Sequence, residues 1–367
     1  MSGFLDGFLR LLSAFVLVLL VLLAALRATR WVRHRRREHA LEPLRGLLLE
    51  LLCAEGEGEA GALSVLARLD DRAWTALEPT ARAMLAKVSG QARDSLVELF
   101  EQRGVAVRAL ADLGRRGTVR RARAAEVLGL LRYRPSVRAL CRLLCHRDPE
   151  VRVVAGRALG RIGDASAVPD LLDCLHGLRP VPQSVVLRAL TGFGPEGQTP
   201  IGAGLSDPDP LVRAMAIEAL GATGAVAWAH PIAVALLQDP DPEVQIRAAR
   251  ALGTLGMPSG VAPLLSAVEP GRPVALRTVA ARALGRLGDV SAASRLQSLL
   301  GDPSHHLATT AAGALLQLGP DGRAALGEAA AGALGDRAAA QARAALAQAA
   351  LREGSGPVPN WSVAVGP

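Results

Sequence analysis

Residues 149–175, PEVRVVAGRALGRIGDASAVPDLLDCL, are the stretch from which the fold is read. Val151, Val154, Ala155, Ala158, Leu159 and Ile162 fall at i, i+3, i+4, i+7, i+8 and i+11. That spacing lays one apolar stripe along a helix. Asp148 stands before Pro149, so a carboxylate can cap the first amides and a first-turn proline loses no hydrogen bond. Gly163 predicts a left-handed end, because a residue without Cβ takes positive φ at no steric cost. Val168, Leu171, Leu172 and Leu175 make a second stripe on a second helix. Two short helices cannot bury both stripes alone; they need copies of themselves above and below.

The copies are present on both sides. Stepping outward from Leu159, the same column reads Leu128, Leu159, Leu190, Leu220, Leu252, Leu284 and Leu315, at steps of 31, 31, 30, 32, 32 and 31 residues. The residue before it reads Val127, Ala158, Ala189, Ala219, Ala251, Ala283 and Ala314. A further small column reads Ala124, Ala155, Val186, Ala216, Ala248, Ala280 and Ala311. The turn glycine recurs as Gly163, Gly194, Gly224, Gly256, Gly288 and Gly319, and Arg132 alone breaks that column. Pro169, Pro200, Pro231 and Pro263 recur near the starts of second helices. Leucines that fill the core and alanines that let helices approach account for the residue types at these positions.

The runs Val151-Arg152 to Asp164, Val212-Arg213 to Gly224 and Leu276-Arg277 to Asp289 resemble the HEAT repeat, in the short bacterial variety also found in phycobilin lyases. The resemblance spans roughly residues 105–350. It implies an all-α fold, an α-solenoid with first helices on the convex side and second helices lining a concave groove. It leaves function open, since the same repeat serves scaffolds and a few enzymes.

The chain of 367 residues is 50% hydrophobic but only 3% aromatic, and its 42 basic residues include one lysine, Lys87. Residues 11–26, LLSAFVLVLLVLLAAL, carry no charge. With Phe8, Leu9 and Ala28, and with Arg10 and Arg27 snorkelling, the run reaches the ~20 residues that cross a bilayer. A cleaved signal peptide would place its basic end before the apolar run. Here Arg27, Arg30, Trp31, Arg33, Arg35, Arg36 and Arg37 follow it, so they are expected at the membrane interface. Positive charge stays cytoplasmic. The expectation is one transmembrane helix at the inner or plasma membrane, N-terminus outside and solenoid in the cytoplasm.

Without Asp6, Arg10 and those six arginines, residues 38–367 hold 35 basic and 33 acidic residues, a net charge of +2. A nucleic-acid solenoid would carry its excess charge on the repeats themselves, so no nucleic-acid partner is expected. The predicted divisions are 1–37, anchor and basic juxtamembrane segment; 38–104, helical linker and degenerate N-terminal capping repeats; 105–352, the solenoid; and 353–367, a disordered tail. Glu55–Gly61 is read as a loop, Leu63, Leu66, Leu85 and Phe100 as part of a capping unit, and Ala338–Arg352 as an alanine-rich helix.

Motifs for chemistry fail on inspection. Gly192-Phe193-Gly194-Pro195-Glu196-Gly197 matches GxGxxG but follows no strand, and Pro195 and Glu196 suit no phosphate cradle. Cys141, Cys145 and His146, with Cys174 and His176 one repeat on, have spacing that stacked helices could bring together. Yet Cys141 and Cys174 fall in the leucine columns of Leu172 and Leu143, which reads as core. No metal, cofactor, catalytic residue or small-molecule substrate is expected.

The candidate site is a protein-binding face on the second helices, with Arg138 and Arg142 followed one repeat on by Asp170 and Asp173. Further along, Gly202, Gly204, Ala233, Ala235, Ser266 and Ala267 would make a small, weakly apolar continuation. A mixed surface suits a folded partner or an amphipathic helix. The predicted function is a membrane-tethered scaffold whose partner is a protein. The resemblance to anchored bacterial HEAT proteins implies a membrane enzyme such as a glycosyltransferase. The alternatives are a phycobilin-lyase-like enzyme, which one tyrosine argues against, and a HEAT-type nucleic-acid binder.

Overall fold

The computed structural model describes Arg27, residues 42–53 and residues 56–354. These hold α-helices, short 3-10 turns and loops, with no strand among the described residues. None of the described helices is long and apolar enough to cross a membrane, and the expected span at 11–26 lies outside them. The chain divides into two compact units, residues 1–111 and 112–367.

In the first unit α1 covers 42–53, followed by α2 (Glu57–Ala67), α3 (Asp71–Leu85), α4 (Gln91–Gln102) and the start of α5 (Val105–Gly114). Of the expected loop at Glu55–Gly61, Glu55 lies outside the described residues, Gly56 caps α2, and residues 57–61 are the start of that helix. Glu57 and Glu59 lie where the helix N-terminus favours negative charge. Glu59 also accepts hydrogen bonds from Gln91 Nε2 at 2.9 Å and from the Ser95 hydroxyl, which tie α2 to α4. Composition read these glycines as punctuation; Gly56 does mark the helix start, at φ 65°, but Gly58 and Gly61 lie within the helix. Trp74 and Phe100 meet edge to face at 5.4 Å, with the Arg103 guanidinium 5.0 Å from the Trp74 ring centre. Arg103 Nη1 also donates to the carbonyls of Ala67 and Leu69.

The second unit is the repeat array. Its first helices are α6 (Thr118–Leu130), α8 (Pro149–Ile162), α10 (Gln183–Leu190), α12 (Pro210–Ala222), α14 (Pro242–Leu255), α16 (Val274–Leu287) and α18 (His305–Gln317). Its second helices alternate with them: α7 (Val137–Leu143), α9 (Val168–Asp173), α11 (Gln198–Ala203), α13 (Ala229–Gln238), α15 (Val261–Ala267), α17 (Ala293–Ser298) and α19 (Pro320–Ala330). The last helix, α20 (Asp336–Gly354), packs on α18 and α19 through Ala338, Ala342 and Ala345. Each first helix stacks on the next first helix, as the period demands. Asp148, Asp209 and Asp241 cap α8, α12 and α14 ahead of a first-turn proline. Six of the second helices, α7, α9, α11, α13, α15 and α17, follow a one-turn 3-10 segment.

The leucine column is the spine of the core: from Leu128 to Leu315 every member is 1% exposed or less. The Ala-Leu-Gly triplet has a second reason. A Cβ on Gly160 would lie 2.5 Å from Ala189 Cα, and one on Gly129 would lie 2.7 Å from Ala158 Cα. Gly221 against Ala251, Gly253 against Ala283 and Gly285 against Ala314 repeat the contact. Glycine of one repeat receives alanine of the next, so the first helices touch backbone to backbone. α10 is the exception in length: it has 8 residues where its neighbours α8 and α12 have 14 and 13.

Candidate functional site

The second helices are short, so each presents few side chains, and burial decides which remain free. On α7, Val137, Leu140 and Leu143 turn into the core and leave Arg138 and Arg142 exposed. On α9, Val168, Leu171 and Leu172 are buried and leave Asp170 and Asp173 exposed. None of these four charged residues makes an ion pair among the described residues.

They surround two adjoining cavities. One, of about 660 Å³, is lined by Arg138, Cys141, Arg142, Cys145, Ser166 and Asp170. The other, of about 480 Å³, includes Asp170, Asp173, His176, Leu178 and Arg179. Cys141, Cys145 and Asp170 belong to both. The structure therefore brings all four predicted partner-binding residues to one face. Sequence reasoning missed Leu178, which is fully exposed in the loop after α9. A leucine inside His176-Gly177-Leu178-Arg179-Pro180, a run of turn residues, was the available signal.

Cys141 and Cys174 are poor nucleophiles. Burial, then the Asp170 carboxylate beside it, pushes the Cys141 thiol up to about 12. Burial, then the neighbouring Cys145 and Asp173, pushes Cys174 up to about 12. Both stay protonated at neutral pH, and the reactive and metal-binding form of cysteine is the thiolate. Cys174 Sγ donates instead to the Leu171 carbonyl at 3.0 Å. Among the described residues no three His, Cys, Asp or Glu side chains are placed to hold a metal ion.

The small, weakly apolar continuation is corrected by packing. Gly202 lies under the Trp228 ring, where a Cβ would meet Cη2 at 2.0 Å. Gly204 sits against Leu172 and Ala216, and Ala233 and Ala267 are buried. Ala235 and Ser266 remain half-buried. The glycines at 202 and 204 are small because neighbours fill the space, so that part of the face offers no small-residue groove. Of the predicted membrane-interface residues, Arg27 is helical and exposed. Arg30, Trp31, Arg33, Arg35, Arg36 and Arg37 lie outside the described residues.

Comparison with known proteins places the repeats. A family profile described as HEAT repeats matches residues 117–191 and 229–317. Among solved structures, an engineered protein is similar at 19% identity, with a TM-score of 0.37, covering 82% of this chain and 97% of that one. A mutant of Kap121p is similar at 11% identity and a TM-score of 0.49, covering 86% of this chain and 44% of that one. Human deoxyhypusine hydroxylase in complex with glycerol is similar at 18% identity and a TM-score of 0.31, covering 71% of this chain and 96% of that one. The search of curated proteins finds no match.

Proposed function

From a chain that carries HEAT repeats, we propose a scaffold that binds a partner protein through the α7–α9 face. One observation carries the reading: Arg138, Arg142, Asp170 and Asp173 stand exposed, with no ion pair among the described residues, around two adjoining cavities, with Leu178 fully exposed beside them. Charges of both signs set register and exclude wrong partners, and an apolar anchor supplies burial. The protonated Cys141 and Cys174 thiols support a binding role without chemistry at this face.

In this proposal residues 1–37 hold the scaffold at the cytoplasmic side of a membrane, and the partner is itself a membrane protein. Confinement to one plane raises the effective concentration of the two. The test uses Arg142→Glu and Asp173→Arg, singly and together. Each change weakens recovery of the partner from membranes without lowering the melting temperature. Recovery unaffected by either change, but abolished by deleting residues 1–37, would place the interface in the anchor. Single cysteines at Ser2 and Ser355 test the orientation: in whole cells an impermeant thiol reagent labels the first and spares the second.

A further inference from the structure

A third cavity lies on the other set of helices, where the array is irregular. α10 ends at Leu190, after 8 residues, and Thr191 and Gly192 follow. Its partner α8 continues to Ile162, with 14 residues. A hollow of about 700 Å³ lies along α8 and α10. Arg157, Arg161 and Arg188 line it, with the Ser184 hydroxyl and the bare backbones of Gly160 and Gly192.

The three arginines are one cluster by construction. Arg157 and Arg161 are four residues apart on α8, hence neighbours on one helix face. Arg188 stands 31 residues after Arg157, one repeat along the stack. All three are exposed, and none makes an ion pair among the described residues. The acidic residues in the same column lie one repeat to either side. Glu218 is taken by Arg247, and Glu126 on α6 makes no ion pair among the described residues. Some arginines of the array do meet carboxylates: Arg213 meets Asp239 and Arg277 meets Asp302. Here three guanidiniums share a hollow with no carboxylate.

We propose that this hollow binds a phosphate monoester dianion, borne by a small molecule or by a lipid headgroup of the phosphatidic acid kind. Planar guanidinium forks match the oxygens of phosphate in pairs, and three forks suit a dianion better than a carboxylate. The hollow falls in the ~300–1,000 Å³ range of small-ligand sites. Gly192 opens the GFGPEG run, but the site does not depend on that motif. Side-chain forks, not loop amides, would hold the phosphate, so no dinucleotide fold is required.

The test titrates the full chain, in detergent micelles at low ionic strength, with inorganic phosphate by calorimetry. A second arm dopes the micelles with phosphatidic acid or with phosphatidylcholine. The expected result is one saturable site per chain, weakened about tenfold or more by Arg161→Gln and by Arg188→Gln. Arg337→Gln, an exposed arginine on α20, leaves it unchanged. Binding of inorganic phosphate assigns a soluble ester. Binding of phosphatidic acid alone, with the same sensitivity to Arg161 and Arg188, assigns a headgroup. The proposal is overturned if neither probe binds, if binding survives Arg161→Gln and Arg188→Gln, or if Arg337→Gln weakens it as much.

Discussion

Arg132 is the one described non-glycine residue with positive φ, at 52°. It occupies the column that Gly163, Gly194, Gly224, Gly256, Gly288 and Gly319 fill at φ between 62° and 75°. Positive φ therefore recurs at this position, Arg132 included, but the turn itself varies: Gly163, Gly256 and Gly288 are left-handed, with ψ between 13° and 21°, whereas ψ is −159° at Gly194 and −138° at Gly319. An L side chain at that φ costs about 1 kcal/mol, because Cβ crowds the following carbonyl. Glycine would relieve the crowding but gain freedom in the unfolded chain, which returns part of the benefit. Arg132 is exposed, so nothing else is lost. Arg132→Gly is expected to stabilise the protein by roughly 0.5 kcal/mol, read as a higher urea midpoint at unchanged slope. A lower midpoint would mean that the arginine has a role the turn geometry does not show.

Between elements, arginines in the fourth position of first helices tie together the loops on either side. Arg213 Nη1 donates to the carbonyls of Asp207 and Pro208 in the loop behind it. Its Nε and Nη2 reach Asp239, which closes α13 ahead of it, at 2.8 and 2.9 Å, a bidentate pair. Arg277 reaches Asp302 at 2.8 Å, and Arg121 stands 2.8 Å from His146 Nε2 in the equivalent place. Arg152 donates to the His146 and Arg147 carbonyls behind it, but the loop ahead of it, His176–Val181, has no carboxylate. Its Nε is buried without a partner. The rung at Asp239 has a signature in pH. Burial raises the Asp239 pKa, but hydrogen bonds from Arg213 and from the Asp241 amide, with the arginine charge, outweigh it and hold the pKa below the ordinary carboxylate value. Folding thus favours the ionised form. The stabilisation is complete above the unfolded value, about 4, and is lost as pH falls through the lower folded value. Asp239→Asn is expected to cost about 2–4 kcal/mol at neutral pH. Below about pH 4 the gap to the parent protein narrows, measured as urea midpoints along a pH series. A gap independent of pH would mean that the carboxylate's charge contributes nothing.

As a whole molecule, the array is held by contacts between repeats. Leu220, fully buried on α12, lies midway along the spine. Leu220→Asp buries an unpaired carboxylate at a cost of several kcal/mol. Because each repeat is stabilised by its neighbours, hydrogen exchange should quicken in α10 and α14 as well as in α12. Quickening confined to α12 would contradict nearest-neighbour coupling. The sequence by itself determined the helix pairs, their period, the leucine spine and the positive-φ positions, since these follow from local rules: apolar spacing, caps and the steric freedom of glycine. It also placed Arg138, Arg142, Asp170 and Asp173 on one face, because the period puts residues 31 or 32 apart in register. Only the tertiary structure decided which small residues are surface and which are contact. Gly202 is covered by Trp228, 26 residues away, and Gly160 receives Ala189 from the next helix. It alone revealed that a hollow along α8 and α10 gathers three arginines, and that α2 begins inside an apparent loop, where Glu59 is held from α4. The physical reason is the same in each case. Local rules give a residue its conformation, but what covers it is set by chain that is distant in sequence and close only once the repeats have stacked.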